Sequence, residues 1–412
     1  MRPKKEKIQP IWKEQTQMQD ERALIPGIKE GHKNNAARIS EIIFYSAVVY
    51  AIGYDFFLGN TMFAQEYGYI YLLPLTAFHI CEFIILDYAI YSVITEQDRK
   101  IRIVYAILSL VGAICIDGSG MFFLLCVAFS RRSMKKAMMI GFISTLTAFI
   151  VTIACSFMGI IGQYGHHELA FALGMVNRTN FAFAVLFLII SYAIIKNGRL
   201  KIYEYAVIIA SIVVTYKLVH AKNAAVCMTL FTLLCLGSQV YERHFQNEKL
   251  DKLAENAKKY FLDYSNIWAV AIYGTLVAYR SRISDLASTY QWLGSFAYRL
   301  TVFDEVRDYP LTLFGQGLSE SGNPEDYFVI DSFCLRSPIS DGLIVFALIL
   351  VILTFYMIKA RRSKCKIIYS ALLVMALFSI TDAAQVDWSL NLMCVMPFAI
   401  WDTGESSVTS LT

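Results

Sequence analysis

The chain has 412 residues, of which 57% are hydrophobic and only 17% are charged, and its formal net charge is +4. Soluble globular domains carry about 25% charged residues, so this composition excludes an ordinary soluble domain. Apolar runs recur between polar breaks, and a run of about 20 apolar residues crosses a bilayer as a helix. Such runs are too long and too uniformly apolar for the strands of a membrane β-barrel. The sequence therefore predicts an all-α, polytopic membrane bundle.

In chain order, the apolar runs predict about twelve spans, and two of them are short helices that meet at a polar break within 103–130. Alternate loops between the spans hold most of the lysines and arginines, which is the pattern of loops that stay on the cytoplasmic side. The other spans are expected at 39–58, 67–90, 137–161, about 180–195, 205–219, 225–240, 261–279, 342–357, 367–380 and in a last run that ends near residue 401.

The predicted spans divide the chain into four regions. Both termini are expected on the cytoplasmic side of a bacterial cytoplasmic membrane, and Asp382 and Asp387 are expected in a short outer turn before the last span. The regions are a basic cytoplasmic tail at 1–38, the first nine spans at 39–279, a large extracytoplasmic loop at 280–340, and the last three spans with a C-terminal tail at 341–412.

The chain lacks the sequence motifs of several common kinds of site. No Walker loop is present and no GxGxxG opens a helix, so nucleotide hydrolysis by that route is excluded. Most of the nine cysteines lie in apolar runs, and none is arranged as CxxC. The adjacent His166 and His167 resemble a metal pair but have no third ligand nearby in the sequence. We therefore expect neither a metal nor a cofactor.

Eight basic residues fall on the predicted outer side of the membrane, against the topological bias. Arginine pairs bidentately with phosphate and keeps its charge at physiological pH, so these positions predict a site for an anion. The structural alternative for each is a cation that anchors the end of a span or lies in solvent. The eight are Arg178, Lys217, Lys222, Arg280, Arg282, Arg299, Arg307 and Arg336.

The large predicted outer loop contains an apolar stripe at helical spacing over 285–306. Arg299 and Arg307 share a face if this helix persists, and Pro310 ends it. The Gly315-Gln316-Gly317 triplet that follows allows a tight turn with exposed backbone N–H groups. The loop therefore offers both arginine side chains and backbone donors to an anion.

A resemblance to the O-antigen polymerase and ligase superfamily is carried by three stretches that together cover roughly residues 170–345. In one of them Lys222 stands where the family often has arginine, and lysine does not reproduce a bidentate pair. The stretches are Arg299 with DYPLTLFGQG at 308–317 and DSFCLRSPISDGLI at 331–344, LGMVNRTN at 173–180 entering a span, and HAKNAA at 220–225.

The resemblance to the polymerase branch of this superfamily, called Wzy-type, implies a membrane glycosyltransferase with a GT-C-like fold. Such proteins transfer a glycan from a polyprenyl-diphosphate donor to a hydroxyl of a lipid-linked acceptor repeat unit, and they build polysaccharides such as capsule or exopolysaccharide. The implied partners are the lipid-linked oligosaccharide, membrane lipid, a chain-length regulator and a flippase. No nucleic acid, nucleotide sugar or metal is implied.

Arg178 and Arg299 are the expected catalytic cations, because preorganised positive charge stabilises the charge that develops on a diphosphate leaving group. The general base is left open among five residues on the predicted outer side, which are His166, His167, Glu168, Asp304 and Asp331. The expected substrate-binding residues are Arg307, Arg336, Lys222, Lys217, Arg280, Gly315 and Gly317.

Two alternative functions remain. A ligase of the same superfamily has the same fold and donor but hands a finished glycan to a different acceptor. A flippase for lipid-linked oligosaccharides belongs to another functional class, and it requires a central cavity between two related halves. The sequence shows no internal repeat and few charges within the predicted spans, which disfavours ion-coupled transport.

Overall fold

The structure is a computed structural model, and most of the predicted outer loop at 280–340 lies outside the residues that it describes. Only 309–316 and 332–340 of that loop belong to the described part. The described residues are 30–67, 72–115, 119–163, 171–244, 252, 253, 256, 309–316, 332–363, 365–379, 382 and 387–401.

The regular elements within these ranges are helices. They are α1 (Glu30–Asn60), α2 (Phe63–Glu66), α3 (Leu72–Thr95), α4 (Arg99–Ile114), α5 (Gly120–Ala128), α6 (Met134–Phe157), α7 (Arg178–Ile195), α8 (Ile202–Lys217), α9 (Lys222–His244), α10 (Phe333–Ser340), α11 (Leu343–Arg362), α12 (Lys366–Phe378) and a 3-10 helix (Leu392–Val395).

Six of these helices are long and apolar enough to cross a membrane, so the prediction of an all-α, multi-span membrane protein is confirmed in this coarser form. The number of about twelve spans is not confirmed, since α8 and α12 have only 16 and 13 residues and the predicted span at 261–279 lies outside the described ranges. The six segments are Ala37–Asn60, Leu75–Thr95, Met134–Phe157, Arg178–Ile195, Lys222–Glu242 and Leu343–Arg362.

The first span, expected at 39–58, corresponds to the apolar segment Ala37–Asn60 of helix α1, which itself begins at Glu30. One expected span is wrong. The predicted last span is not a helical span, because the chain from Asp387 to Trp401 forms turns and one short 3-10 helix. The carboxylate of Asp387 accepts hydrogen bonds from nearby backbone N–H groups, which competes with helix formation, and Pro397 lacks a backbone N–H.

The two short helices predicted within 103–130 are α4 and α5, which pack against each other as a hairpin. A Cβ added at Gly112 would lie 2.7 Å from Cγ of Leu124, and one at Gly120 would lie 2.3 Å from the carbonyl oxygen of Cys115. Glycine at both positions therefore lets the helices touch. All nine residues of α5 are buried, so this helix lies inside the bundle rather than on its surface.

Basic loops meet at one end of the bundle, here named the basic end and defined by Arg131 and Arg132. Arg131 lies 3.2 Å from the carboxylate of Glu96, and the guanidinium of Arg132 lies 3.8 Å from the ring centroid of Phe44, within cation–π range. The backbone N–H of Ile400 donates to the carbonyl of Arg132 at 2.8 Å. The loops predicted to share one side of the membrane therefore lie at the same end of the bundle.

Candidate functional site

Three non-helical stretches of chain meet inside the bundle, remote from the basic end. They are 61–62, 171–177 and 387–391. Irregular backbone at membrane depth is tolerated only where it is buried in protein or lines a cavity, so such a meeting point is a candidate site. The side chains gathered here form a cluster that we name the polar junction, which consists of Asp55, Asn60, Asn180, Asp387 and Ser389.

Backbone hydrogen bonds join the first two stretches. The N–H of Met62 donates to the carbonyl of Gly174 at 2.9 Å, and the N–H of Val176 donates to the carbonyl of Asn60 at 3.0 Å. Gly174 has a φ of +84°, and a Cβ there would lie 2.7 Å from Cδ1 of Ile161. Both the backbone conformation and the available space therefore require glycine at this position.

Side-chain hydrogen bonds continue from α7 through α1 to the third stretch. Nδ2 of Asn180 donates to Oδ1 of Asn60 at 2.9 Å, and Nδ2 of Asn60 donates to Oγ of Ser389 at 3.4 Å. Ser389 in turn donates through Oγ to Oδ1 of Asp387 at 2.6 Å. That oxygen also accepts from the backbone N–H groups of Ser389 at 3.0 Å and Leu390 at 3.3 Å. A continuous polar network thus links three separate parts of the chain.

The junction lies well within the bundle and carries two acids. The hydroxyl of Thr145, in the middle of α6, donates to the carbonyl of Ser389 at 3.4 Å. Asp55 on α1 lies close enough to Asp387 and to Glu82 of α3 for their charges to act on it. Asp55 and Asp387 are each half-buried.

Asp382 and Asp387, expected in a short outer turn, pack against the rest of the protein instead of standing in solvent. Asp382 is buried, and the carboxylate of Asp387 belongs to the polar junction. Sequence reasoning also missed Asp55, although an acid inside a predicted span was an available signal.

Arg178, one of the two predicted catalytic arginines, is the first residue of α7. The preceding Asn177 caps this helix, since its Oδ1 accepts from the backbone N–H of Asn180 at 2.8 Å. Arg178 is partly exposed, and Asn180 two positions later belongs to the polar junction. The structure therefore places Arg178 at the N-terminus of α7, two positions before a residue of the polar junction.

Lys217 and Lys222 lie together at the short connection predicted between two apolar segments. Lys217 is the last residue of α8 and Lys222 the first of α9, and both side chains are exposed. The ammonium of Lys217 lies 5.4 Å from the ring centroid of Tyr216. Gln239, near the end of α9, donates to the carbonyl of Gly198 just after α7, so the starts of α7 and α9 lie at the same end of the bundle.

Arg336 and Gly315 lie around the connection between α10 and α11. Arg336 is exposed on α10, and Gly315 has a φ of +79°, as the predicted tight turn requires. The backbone N–H of Gln316 donates to the carbonyl of Ile339 at 3.1 Å. This N–H group, expected to be open to a ligand, therefore holds the turn against α10.

The other predicted site residues lie outside the described ranges, so the structure tests neither the Arg299 and Arg307 face nor the proposed bases. They are Arg280, Arg299, Arg307, Gly317, His166, His167 and Asp331, together with Glu168 and Asp304.

No protein-family model, no curated protein and no solved structure matches this chain. Within the part of the chain that the structure describes, no group of three or more His, Cys, Asp or Glu side chains is placed to hold a metal ion. Function is therefore inferred from the chain's own residues.

Proposed function

We propose that this protein is a polysaccharide polymerase that transfers a glycan from a polyprenyl-diphosphate-linked donor to a hydroxyl of a lipid-linked acceptor repeat unit. The proposed reaction takes place at the outer face of a bacterial cytoplasmic membrane. The observation that supports it most is the position of Arg178, at the first turn of α7 and two positions before Asn180 of the polar junction. The six apolar helices supply the lipid-facing surface that a polyprenyl chain requires.

A diphosphate suits the start of α7 for two physical reasons. The N-terminus of a helix presents unpaired N–H groups and the positive end of the helix dipole, which together favour an anion. A guanidinium pairs bidentately with phosphate oxygens, and Arg178 is exposed enough to do so. The exposed Lys217 and Lys222, at the same end of the bundle, add positive charge that attracts the donor.

In the proposed reaction, the acceptor oxygen bonds to the anomeric carbon while the bond from that carbon to the diphosphate oxygen breaks. The hydroxyl proton passes to a general base, and the lipid diphosphate leaves with the bonding electron pair. Negative charge on the leaving group grows in the transition state, so the preorganised charge of Arg178 lowers the barrier. Arg299 is the second proposed cation, and the base is proposed among His166, His167 and Asp331.

A flippase for lipid-linked oligosaccharides is the second candidate, and the two acids of the polar junction favour it. Ionisable residues inside a membrane mark ion and proton paths in transporters. The sequence disfavours ion-coupled transport because few charges lie in the predicted spans. Asp55 and Asp387 weaken this argument, since both are acids within the bundle. A ligase uses the same donor and differs from the polymerase only in its acceptor.

The test uses purified protein in liposomes, a polyprenyl-diphosphate-linked repeat unit and no nucleotide sugar. We expect the wild type to form a ladder of longer lipid-linked glycans. Arg178→Ala should lower the rate about 100-fold or more, as loss of a preorganised oxyanion donor does. Arg178→Lys should restore part of it, because lysine keeps the charge but not the bidentate geometry. Lys135→Ala, which removes an exposed cation at the basic end, is the matched control and should leave the rate unchanged.

Movement of a labelled lipid-linked unit between leaflets without any ladder would contradict the polymerase and support the flippase. Transfer of a whole glycan to a different acceptor would identify a ligase. If the Arg178→Ala variant still forms the ladder, the protein is a polymerase but Arg178 takes no part in its reaction. Arg299→Ala in the same assay tests the second proposed cation independently.

A further inference from the structure

Arg132, at the basic end, lies against aromatic side chains of two neighbouring helices. Its guanidinium carbon is 3.8 Å from the ring centroid of Phe44 on α1 and 4.9 Å from that of Tyr88 on α3. The ring of Tyr88 is itself fixed, because its hydroxyl donates to the carbonyl of Ser40 at 2.5 Å. Nε of Arg132 donates to the carbonyl of Ala128, the last residue of α5, at 3.1 Å. Contacts with three helices therefore set the position of this guanidinium.

The guanidinium of Arg132 has hydrogen-bond donors to spare. Within the part of the chain that the structure describes, its one hydrogen bond is the bond from Nε, so the N–H groups of its two terminal nitrogens have no protein partner there. Burial lowers the pKa of Arg132, which nevertheless keeps its charge at physiological pH. The side chain is only partly buried, so a ligand can reach it. A charged group with unused donors and little water is stabilised by an anion that accepts them.

Two further cations lie close to Arg132, and we name the three residues Arg38, Arg132 and Lys136 the cation cluster. The ammonium of Lys136 lies 5.2 Å from the ring centroid of Tyr45, and the guanidinium carbon of Arg132 lies 5.9 Å from the same centroid. Arg38 is exposed on α1, one turn before Glu41, which lies 2.6 Å from the ammonium of Lys136. Three cations thus share one carboxylate, which leaves an excess of positive charge that an anion would neutralise.

The cation cluster lies where three apolar segments begin or end. Ala37–Asn60 and Met134–Phe157 begin beside it, and Leu75–Thr95 ends beside it. Such a position is at the level of the lipid headgroups when these segments cross a membrane, and the apolar surface next to it faces the acyl chains. The large apolar side chains exposed on the adjoining turns of α1 and α3 are Ile39, Ile42, Ile43, Tyr91 and Ile94.

We propose that the cation cluster binds the phosphate of an anionic phospholipid in the leaflet at the basic end. The terminal nitrogens of Arg132 donate to phosphate oxygens, and Arg38 and Lys136 add positive charge. The acyl chains lie along the exposed apolar surfaces of α1 and α3. A soluble phosphate compound would meet the same cations but would leave these apolar surfaces unused, which favours the lipid. The site does not depend on the proposed transfer reaction.

The test is native mass spectrometry of the full-length protein, which counts bound lipids as the concentration of phosphatidylglycerol is raised. Phosphatidylcholine with the same acyl chains is the zwitterionic comparison, and inorganic phosphate is the soluble competitor. The wild type should bind phosphatidylglycerol more tightly than phosphatidylcholine and keep it when phosphate is added. Arg132→Gln should weaken this binding about 10-fold, because charge-assisted hydrogen bonds are lost. Arg132→Lys should recover part of the affinity, since lysine keeps the charge but not the planar fork.

The matched control is Arg99→Gln, which removes an exposed cation of α4 at the same end of the bundle and should weaken binding much less, because salt screens exposed charges. Equal losses in Arg132→Gln and Arg99→Gln would show general attraction to anionic lipid instead of a site. Equal affinity for the two lipids, or displacement of the lipid by inorganic phosphate, would also overturn the proposal. If Arg132→Gln does not fold, Arg38→Gln and Lys136→Gln decide, since both change exposed side chains. Losses no larger than that of Arg99→Gln in both of these variants would contradict the cation cluster.

Discussion

Asn60, the last residue of α1, and Asn180, in the first turn of α7, are joined by a side-chain hydrogen bond of 2.9 Å across 120 positions of the chain. The amide of Asn60 also donates to Ser389, so it connects three segments at once. Asn60 is buried, and a buried amide without partners is costly. This pair therefore holds the start of α7, and with it Arg178, in place beside the polar junction.

Asn180→Ala should destabilise the protein measurably. The substitution leaves Oδ1 of Asn60 without its donor, and an unsatisfied buried polar group costs about 1–3 kcal/mol. Reversible unfolding in mixed micelles measures the free energy of unfolding. Gln97→Ala removes an exposed amide and should change it by less than about 0.5 kcal/mol. Equal effects of the two substitutions would show that the bond between the asparagines contributes nothing.

Gly315→Ala should destabilise the connection between α10 and α11. Gly315 has a φ of +79°, which costs other residues about 1–2 kcal/mol, and a Cβ there would lie 2.2 Å from the carbonyl oxygen of Ser340. The backbone N–H of Leu343, which donates to Thr312 at 2.9 Å, should then exchange its hydrogen faster. Hydrogen exchange followed by mass spectrometry measures this.

The matched control is Gly237→Ala in α9, where a Cβ would meet nothing within 4 Å. Alanine is favoured over glycine in a helix by up to about 1 kcal/mol, so this variant should be as stable as the wild type or more so. A Gly315→Ala protein with the stability and exchange rates of Gly237→Ala would contradict the close packing seen at residue 315.

Asp341, between α10 and α11, should make stability depend on pH. Burial raises the pKa of this carboxyl above its ordinary value, although Ser337 donates a hydrogen bond to it at 2.8 Å. Between the ordinary and the raised pKa the folded protein binds more protons than the unfolded chain, so stability falls as pH rises through that window. Asp341→Asn should flatten this slope, which unfolding at a series of pH values measures.

The control for this experiment is Gln97→Ala, which changes an exposed side chain without a titratable group and should leave the slope as it is in the wild type. A variant at Asp341 that keeps the full slope would show that another group causes it. Loss of the Ser337 bond is not a confounding effect, because the asparagine oxygen can still accept it.

The pattern of apolar and polar residues within a segment was enough to place individual helices. The apolar run after Asn177 predicted the span that the structure gives as α7, and the helix cap at Asn177 explains why it begins there. The polar break within 103–130 likewise predicted the pair of short helices. Local pattern failed after α12, where an apolar run up to Trp401 reads as a span but folds as turns, because Asp387 bonds to its own neighbouring backbone.

The sequence alone determined the class of the fold and the grouping of its basic loops. Long apolar runs must become helices, since the backbone in lipid has to satisfy its own hydrogen bonds. Only the tertiary structure decided that Asn60 and Asn180 join Asp387 in one network and that Gln316 holds the turn at Gly315. Such contacts depend on how helices from distant parts of the chain pack, and the periodicity of a single segment carries no information about its partner.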